Sequence, residues 1–135
     1  MSMFNIFNVS GSAVSAQTQR LNVVASNLAN ADTVANPDGS SYKARQVVFQ
    51  TTLMGELGAA GVRVSNVVED NTPARKVLQP NHPAADEQGY VTYSNVNPID
   101  EMANMISASR SYQSNIEVMN TAKSLLLKTL QMGQG

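Results

Sequence analysis

"NPIDEMANMISASRSYQSNIEVMNTAKSLLLKTLQMG", residues 97–133, is a stretch too long and too regular to fold up inside a small sphere. Asn97 is a good N-cap, Pro98 suits the first helical position, and Asp100 and Glu101 put negative charge in the first turn, where the helix dipole favours it. A helix is expected to run from there to about Met132, with Gly133 as its stop. Met102, Met105, Ser109, Tyr112, Ile116, Met119, Lys123, Leu126 and Leu130 alternate spacings of three and four, the repeat of a coiled-coil seam. Ile106, Ala122 and Leu127 widen the stripe to one side, so more than one neighbour is expected. About 35 residues at ~1.5 Å each make a helix of ~52 Å, whereas a compact globule of this chain length is roughly 37 Å across. The molecule is therefore expected to be elongated.

At the other end, Phe7, Val14, Leu21 and Leu28 fall seven residues apart, and Val24, Ala25 and Ala31 fill the intermediate offsets. Residues from about 4 to 31 read as a second amphipathic helix. Gly11, Ser12, Ala13, Ser15 and Ala16 lie between these positions and allow another backbone to come close, although Gly11 lowers intrinsic helix stability by roughly 1 kcal/mol. This helix is expected to need a partner, and the ends of an isolated monomer are expected to fray and order on assembly.

Between the helices the pattern changes. Turn signals occur at "NPDG" (36–39), "GAAG" (58–61), "QPNHP" (79–83) and "DEQG" (86–89). Strand-like runs lie among them at 46–53, 62–68, 75–78 and 90–94, consistent with one small antiparallel sheet. The expected fold class is α+β: long N- and C-terminal helices associating as a coiled-coil-like stem, with a small β-rich insert between them. Residues 1–32 together with 97–135 would form the helical axial domain and 33–96 the insert.

Of the 135 residues, 42% are hydrophobic and only 14% are charged, with a net charge of -1. No basic cluster exists to hold nucleic acid or an anionic membrane. The first charge is Arg20, and the early apolar run is broken by Asn5 and Asn8, so no cleavable signal peptide is expected. No segment approaches the ~18 apolar residues of a membrane span. There is no cysteine, which excludes disulfides and thiolate chemistry. The lone His82, in a Pro-flanked loop, reads as a turn residue, and the adjacent pairs Glu69-Asp70, Asp86-Glu87 and Asp100-Glu101 read as solvation and capping. No catalytic, cofactor or metal site can be assembled. Of three classes, a self-assembling structural subunit, a stand-alone coiled-coil adaptor with a methionine-bearing groove and a small enzyme, the first best explains two weakly charged helical ends.

"GSAVSAQTQRLNVVASNLANADT" (11–33), "SYKARQVVFQ" (41–50) and "GYVTYSNVNPIDEMANMISASRSYQSNIEVMNTAKSLLLKTLQMGQ" (89–134) together resemble the axial proteins of the bacterial flagellum, and most specifically the proximal rod subunits of its basal body. "SNLAN", Ser26 to Asn30, marks the wider rod and hook group, and the later segments narrow it. The resemblance implies a non-enzymatic subunit of the periplasm-spanning rod that transmits torque from motor to hook. It implies export by the type III apparatus without a cleaved signal. The implied partners are further copies, other proximal and distal rod proteins, and the basal adaptor to the membrane ring. Another rod or hook subunit is the alternative within the family. Members often carry Pro where this chain has Ser94 before Asn95-Val96, which leaves the local turn geometry open.

Carried over by position, the resemblance assigns subunit contacts to Leu21, Ser26, Asn27, Leu28, Ala29 and Asn30, to which the helical repeat adds Phe7 and Val14. On the second helix it assigns Met105, Ser109, Arg110, Tyr112, Asn115, Met119 and Leu126, and the repeat adds Ile116 and Leu130. The amides of Asn27 and Asn30 are expected to hydrogen-bond across a subunit contact, the alternative being that they terminate the helix.

Overall fold

The computed structural model describes residues 3–55 and 58–134. In chain order the elements are helix α1 (Met3–Ala29), strands β1 (Arg45–Met54), β2 (Ala59–Glu69), β3 (Lys76–Leu78) and β4 (Tyr90–Thr92), and helix α2 (Pro98–Gln134). The α+β plan of two helices flanking a small antiparallel insert is thus the one observed. Met1, Ser2 and Gly135 of the helical-domain reading and Glu56 and Leu57 of the insert reading lie outside the described residues.

The cap of α2 is as its sequence dictates. Asn97 Oδ1 accepts the backbone N–H of Ile99 at 3.1 Å, and Glu101 N–H closes on Asn97 O at 3.0 Å. Gly133 does not stop the helix. It stays out of the left-handed conformation that a glycine stop requires, so it costs propensity without breaking the ladder.

The helices pack antiparallel. Val24 of α1 shares a cavity with Glu101 and Asn104 of α2, while Met3 and Ile6 share a groove with Val118, Ala122 and Leu125. Midway, Gly11 faces Met119, whose Cε would lie 3.9 Å from a Cβ at that position. Small residues thus bring α2 close to α1, as expected.

The seam on α2 is partly shifted from the expected one. Met105, Tyr112, Met119 and Leu126 are half-buried, but the alternating row is Glu101, Ala108, Asn115 and Ala122, one residue earlier than Met102, Ser109, Ile116 and Lys123. The reason is steric: Ala108 and Ala122 are buried because α1 approaches through its own small side chains, leaving little room for larger ones. On α1 the fully covered positions are Ser10, Ala16, Val24 and Asn27, whereas Phe7 is 41% exposed.

The four strands form two separate two-stranded ladders rather than one sheet. β1 and β2 make a long antiparallel hairpin with a bulge that leaves Ser65 unopposed between the pairs Val48↔Asn66 and Phe49↔Val64. β1 ends at Met54 and β2 already runs from Ala59, so 59–61 is strand rather than the expected turn, and Gly55 and Gly58 at the strand ends are both at positive φ. Ala59 and Gly61 belong to β2 because the strand lies against α1 there. A Cβ on Gly61 would sit 2.7 Å from Ser12 Oγ, and that hydroxyl accepts Val62 N–H at 3.1 Å while donating to Val9 O. β3 and β4 make a short ladder with Val77 opposite Val91, closed by the predicted turn at 86–89, where Asp86 Oδ1 accepts the N–H groups of Gln88 and Tyr90.

Candidate assembly interface

A polar junction gathers the end of α1, the base of the hairpin and the entry to α2 around buried Ala31, Ala44 and Val96. Asn27, fully buried, stands in for a peptide group. Its Nδ2 donates to Arg45 O at 2.8 Å, and its Oδ1 accepts Arg45 N–H at 3.0 Å and the Tyr42 hydroxyl at 2.8 Å. β1 therefore begins with one residue paired to a helix side chain. Asn95 does the same on the far side: Oδ1 accepts Ala44 N–H at 2.6 Å, and Nδ2 donates to Asp70 O and Thr72 O. Ser94, also fully buried, donates to Ala31 O at 2.8 Å and accepts Val96 N–H at 3.2 Å. These two hydroxyl bonds define the turn at the position where proline was expected in relatives, and proline could supply neither.

The expectation for Asn27 is therefore corrected. Its amide is consumed inside the chain and is sealed from any neighbour. Asn30 follows the alternative reading: its Nδ2 donates to Ser26 O at 2.9 Å and its backbone N–H closes on the same carbonyl, ending α1. Ser26 meets the Tyr42 hydroxyl at 3.1 Å. The small, amide-rich composition of this segment is thus accounted for by the hairpin base that lies over it.

The remaining assigned residues divide by exposure. Val14, Leu21, Leu28, Met105, Ser109, Tyr112, Asn115, Ile116 and Met119 are half-buried along the helix pair, as is Leu126. Phe7, Ala29, Arg110 and Leu130 face outward. The structure adds exposed apolar residues, all but Leu127 and Leu130 of which the heptad reading passed over. Phe4, Ile99, Val118 and Leu125 are large, apolar and exposed, and α2 continues past the level of Met3, presenting Leu127, Leu130 and Met132 at 50%, 54% and 83% exposure. Their signal in the sequence was the second apolar row beside the seam, which the strict repeat subordinated.

Chemistry is sparse elsewhere. Among the described residues no group of three or more His, Cys, Asp or Glu side chains is placed to hold a metal ion, and no helix is long and apolar enough to cross a membrane. His82 Nδ1 accepts Ala84 N–H at 3.0 Å in its turn. Glu101 departs from the capping role expected of it: it is buried, whereas Asp100 beside it is exposed.

Residues 7–42 match the model of the flagella basal body rod protein family, and residues 87–132 match that of the flagellar basal body rod FlgEFG protein C-terminal region. The chain is 58% identical over 134 residues to the flagellar basal-body rod protein FlgC of Yersinia enterocolitica, covering 99% of this chain and all of the relative. It is 54% identical over the same span to the corresponding proteins of Escherichia coli O157:H7 and Salmonella typhimurium, again with 99% of this chain and all of each relative covered.

Proposed function

Because the chain belongs to the flagellar basal-body rod protein family, as its full-length identity to rod proteins requires, we propose how it serves as a structural rod subunit. The helical part, residues 1–32 with 97–135, is the axial stem, and residues 33–96 form the insert that faces away from it. Phe7, Arg110 and Leu130, together with Leu127 and Met132, contact neighbouring subunits through the stem. The long unpartnered end of α2 supports this reading, since apolar side chains held out of a monomer are covered when subunits pack.

In the proximal rod the subunit associates with copies of itself, with other proximal and distal rod proteins and with the basal adaptor of the membrane ring. It carries torque toward the hook. It reaches the rod through the type III export apparatus with its N-terminus retained, and it catalyses no reaction. The observation that carries this function is identity along the entire length rather than in one motif. The test is complementation of a bacterium lacking its own subunit of this type. Basal bodies with complete rods and restored swimming are expected, and a strain that stays bare of rods while exporting the chain would overturn the assignment.

A further inference from the structure

The hydrogen bonds of the hairpin fix which backbone groups lie on its outer edges. Val62 N–H turns away from β1 to reach Ser12 Oγ, so Val62 and the residue opposite it, Thr51, exchange no ladder bond. Alternation then directs the N–H and C=O of Phe49, Thr51 and Leu53 outward along the free side of β1. Farther back on the same strand, both backbone groups of Arg45 are taken by the Asn27 carboxamide. Among the described residues nothing takes the groups of 49, 51 and 53: the sheet has two strands, and no loop or side chain bonds to them.

The other strand edges are blunted. On β2, Ser12 of α1 takes the edge at Val62, and farther along the extra residue Ser65 bulges the strand, its hydroxyl donating to Val48 O at 3.2 Å. β3 is three residues long and carries Lys76, and β4 gives Thr92 O to Ala35 N–H at 2.9 Å. β1 has ten residues with no lysine and no proline, and Leu53 on it is 78% exposed. An edge left in this condition pairs with another strand.

The pattern also selects the partner. Outward donors and acceptors that repeat every second residue are matched by an extended backbone, and β1 carries no charge after Arg45 for a charged segment to meet. A second copy has no suitable edge to give. Its β2, β3 and β4 are blunted, and β1 against β1 requires a two-fold axis, which subunits that all point from motor to hook do not have. Resting on the rod-subunit reading, we propose that the β1 edge at 49–53 receives an uncharged, extended segment of a different basal-body protein, added to the hairpin as a third strand.

The test uses the full-length chain, both isolated and in a complemented strain. Thr51→Pro removes an outward N–H and no hairpin bond, so the isolated chain stays folded, as edge strands tolerate proline with that group facing solvent. Its incorporation into basal bodies falls about tenfold or more, whereas Thr51→Val, which keeps the N–H, assembles as wild type. In isolated basal bodies, a benzophenone on Thr51→Cys or on Leu53→Cys, in a chain with no other cysteine, captures a different protein, and the two captured sites lie two residues apart in it. This capture decides the proposal even where Thr51→Pro unfolds the isolated chain. The proposal falls if a folded Thr51→Pro chain assembles as wild type, or if Thr51→Val fails as badly as Thr51→Pro. It falls equally if the probes capture another copy, sites a helical turn apart, or nothing. Failure of the wild-type chain to complement would instead overturn the rod-subunit reading itself.

Discussion

The two ends of the helix pair are built on opposite principles. At the insert end, polar side chains are covered and spent: Asn27, Ser94 and Asn95 meet backbone groups of three separate segments, at Ala31, at Ala44 and Arg45, and at Asp70 and Thr72. At the other end, apolar side chains are exposed and unspent, with Leu127, Leu130 and Met132 on an α2 that outruns its partner. Directional hydrogen bonds secure the chain to itself in one arrangement, whereas non-directional apolar surface is left for whatever packs against it. An assembling subunit needs this division, because a stem that satisfied itself would have nothing to offer a neighbour.

The difference can be tested by damaging each end and reading both stability and assembly. Replacing Leu127 and Leu130 together by Ser should abolish swimming in a complemented strain while shifting the stability of the isolated chain by no more than about 0.5 kcal/mol, since both are surface positions there. An equal loss of monomer stability in urea unfolding would show that this end is also spent internally. Asn27→Ala should do the reverse, lowering the stability of the isolated chain by about 3 kcal/mol, because Arg45 N–H and C=O and the Tyr42 hydroxyl all lose their partner. Asn27→Asp should be damaging too, since it turns a carboxylate oxygen toward Arg45 O.

Ser94→Ala should lower stability by about 1 to 2 kcal/mol in the same measurement, for two hydroxyl bonds lost in a buried site. Gly61→Ala should cost about 1 kcal/mol. The added Cβ presses on the Met54 Sδ and Cε, which can shift, and on Ser12 Oγ, which is held by Val62 N–H and Val9 O.

The weakest effect belongs to the exposed turn at 36–40. The Ser40 hydroxyl and then its backbone N–H hold the Asp38 carboxyl below its ordinary value of 3.8. A depressed folded value means that this contribution is present above pH 3.8 and is lost as the pH falls through the folded value. A carboxyl NMR titration should show Asp38 moving back up toward its ordinary value in Ser40→Ala. No movement would place the cause elsewhere in the turn.

Much of the fold was legible in local pattern. The cap at Asn97-Pro98, the span of both helices, the turns at Gly39 and Gly89 and the approximate strands need only neighbouring residues to specify them. The seam was legible in half, since Met105, Tyr112, Met119 and Leu126 are apolar and conspicuous. Its other row, Glu101, Ala108, Asn115 and Ala122, is small or polar, and the periodicity marked only Ala122 of it, as a widening of the stripe. The same limit hid the role of Asn27: an uncharged polar helix face looks like an interface in sequence, and nothing local reveals that a strand beginning at Arg45 covers it.

Element type and length therefore follow from the sequence by short-range rules of capping, periodicity and turn geometry, which act within a few residues. The division of β strands into two ladders, the burial of Glu101, and the use of Asn27 and Asn95 as surrogate peptide groups were decided by tertiary structure. Each depends on which distant backbone comes within hydrogen-bonding distance or excludes water, and spacing along the chain does not encode that distance.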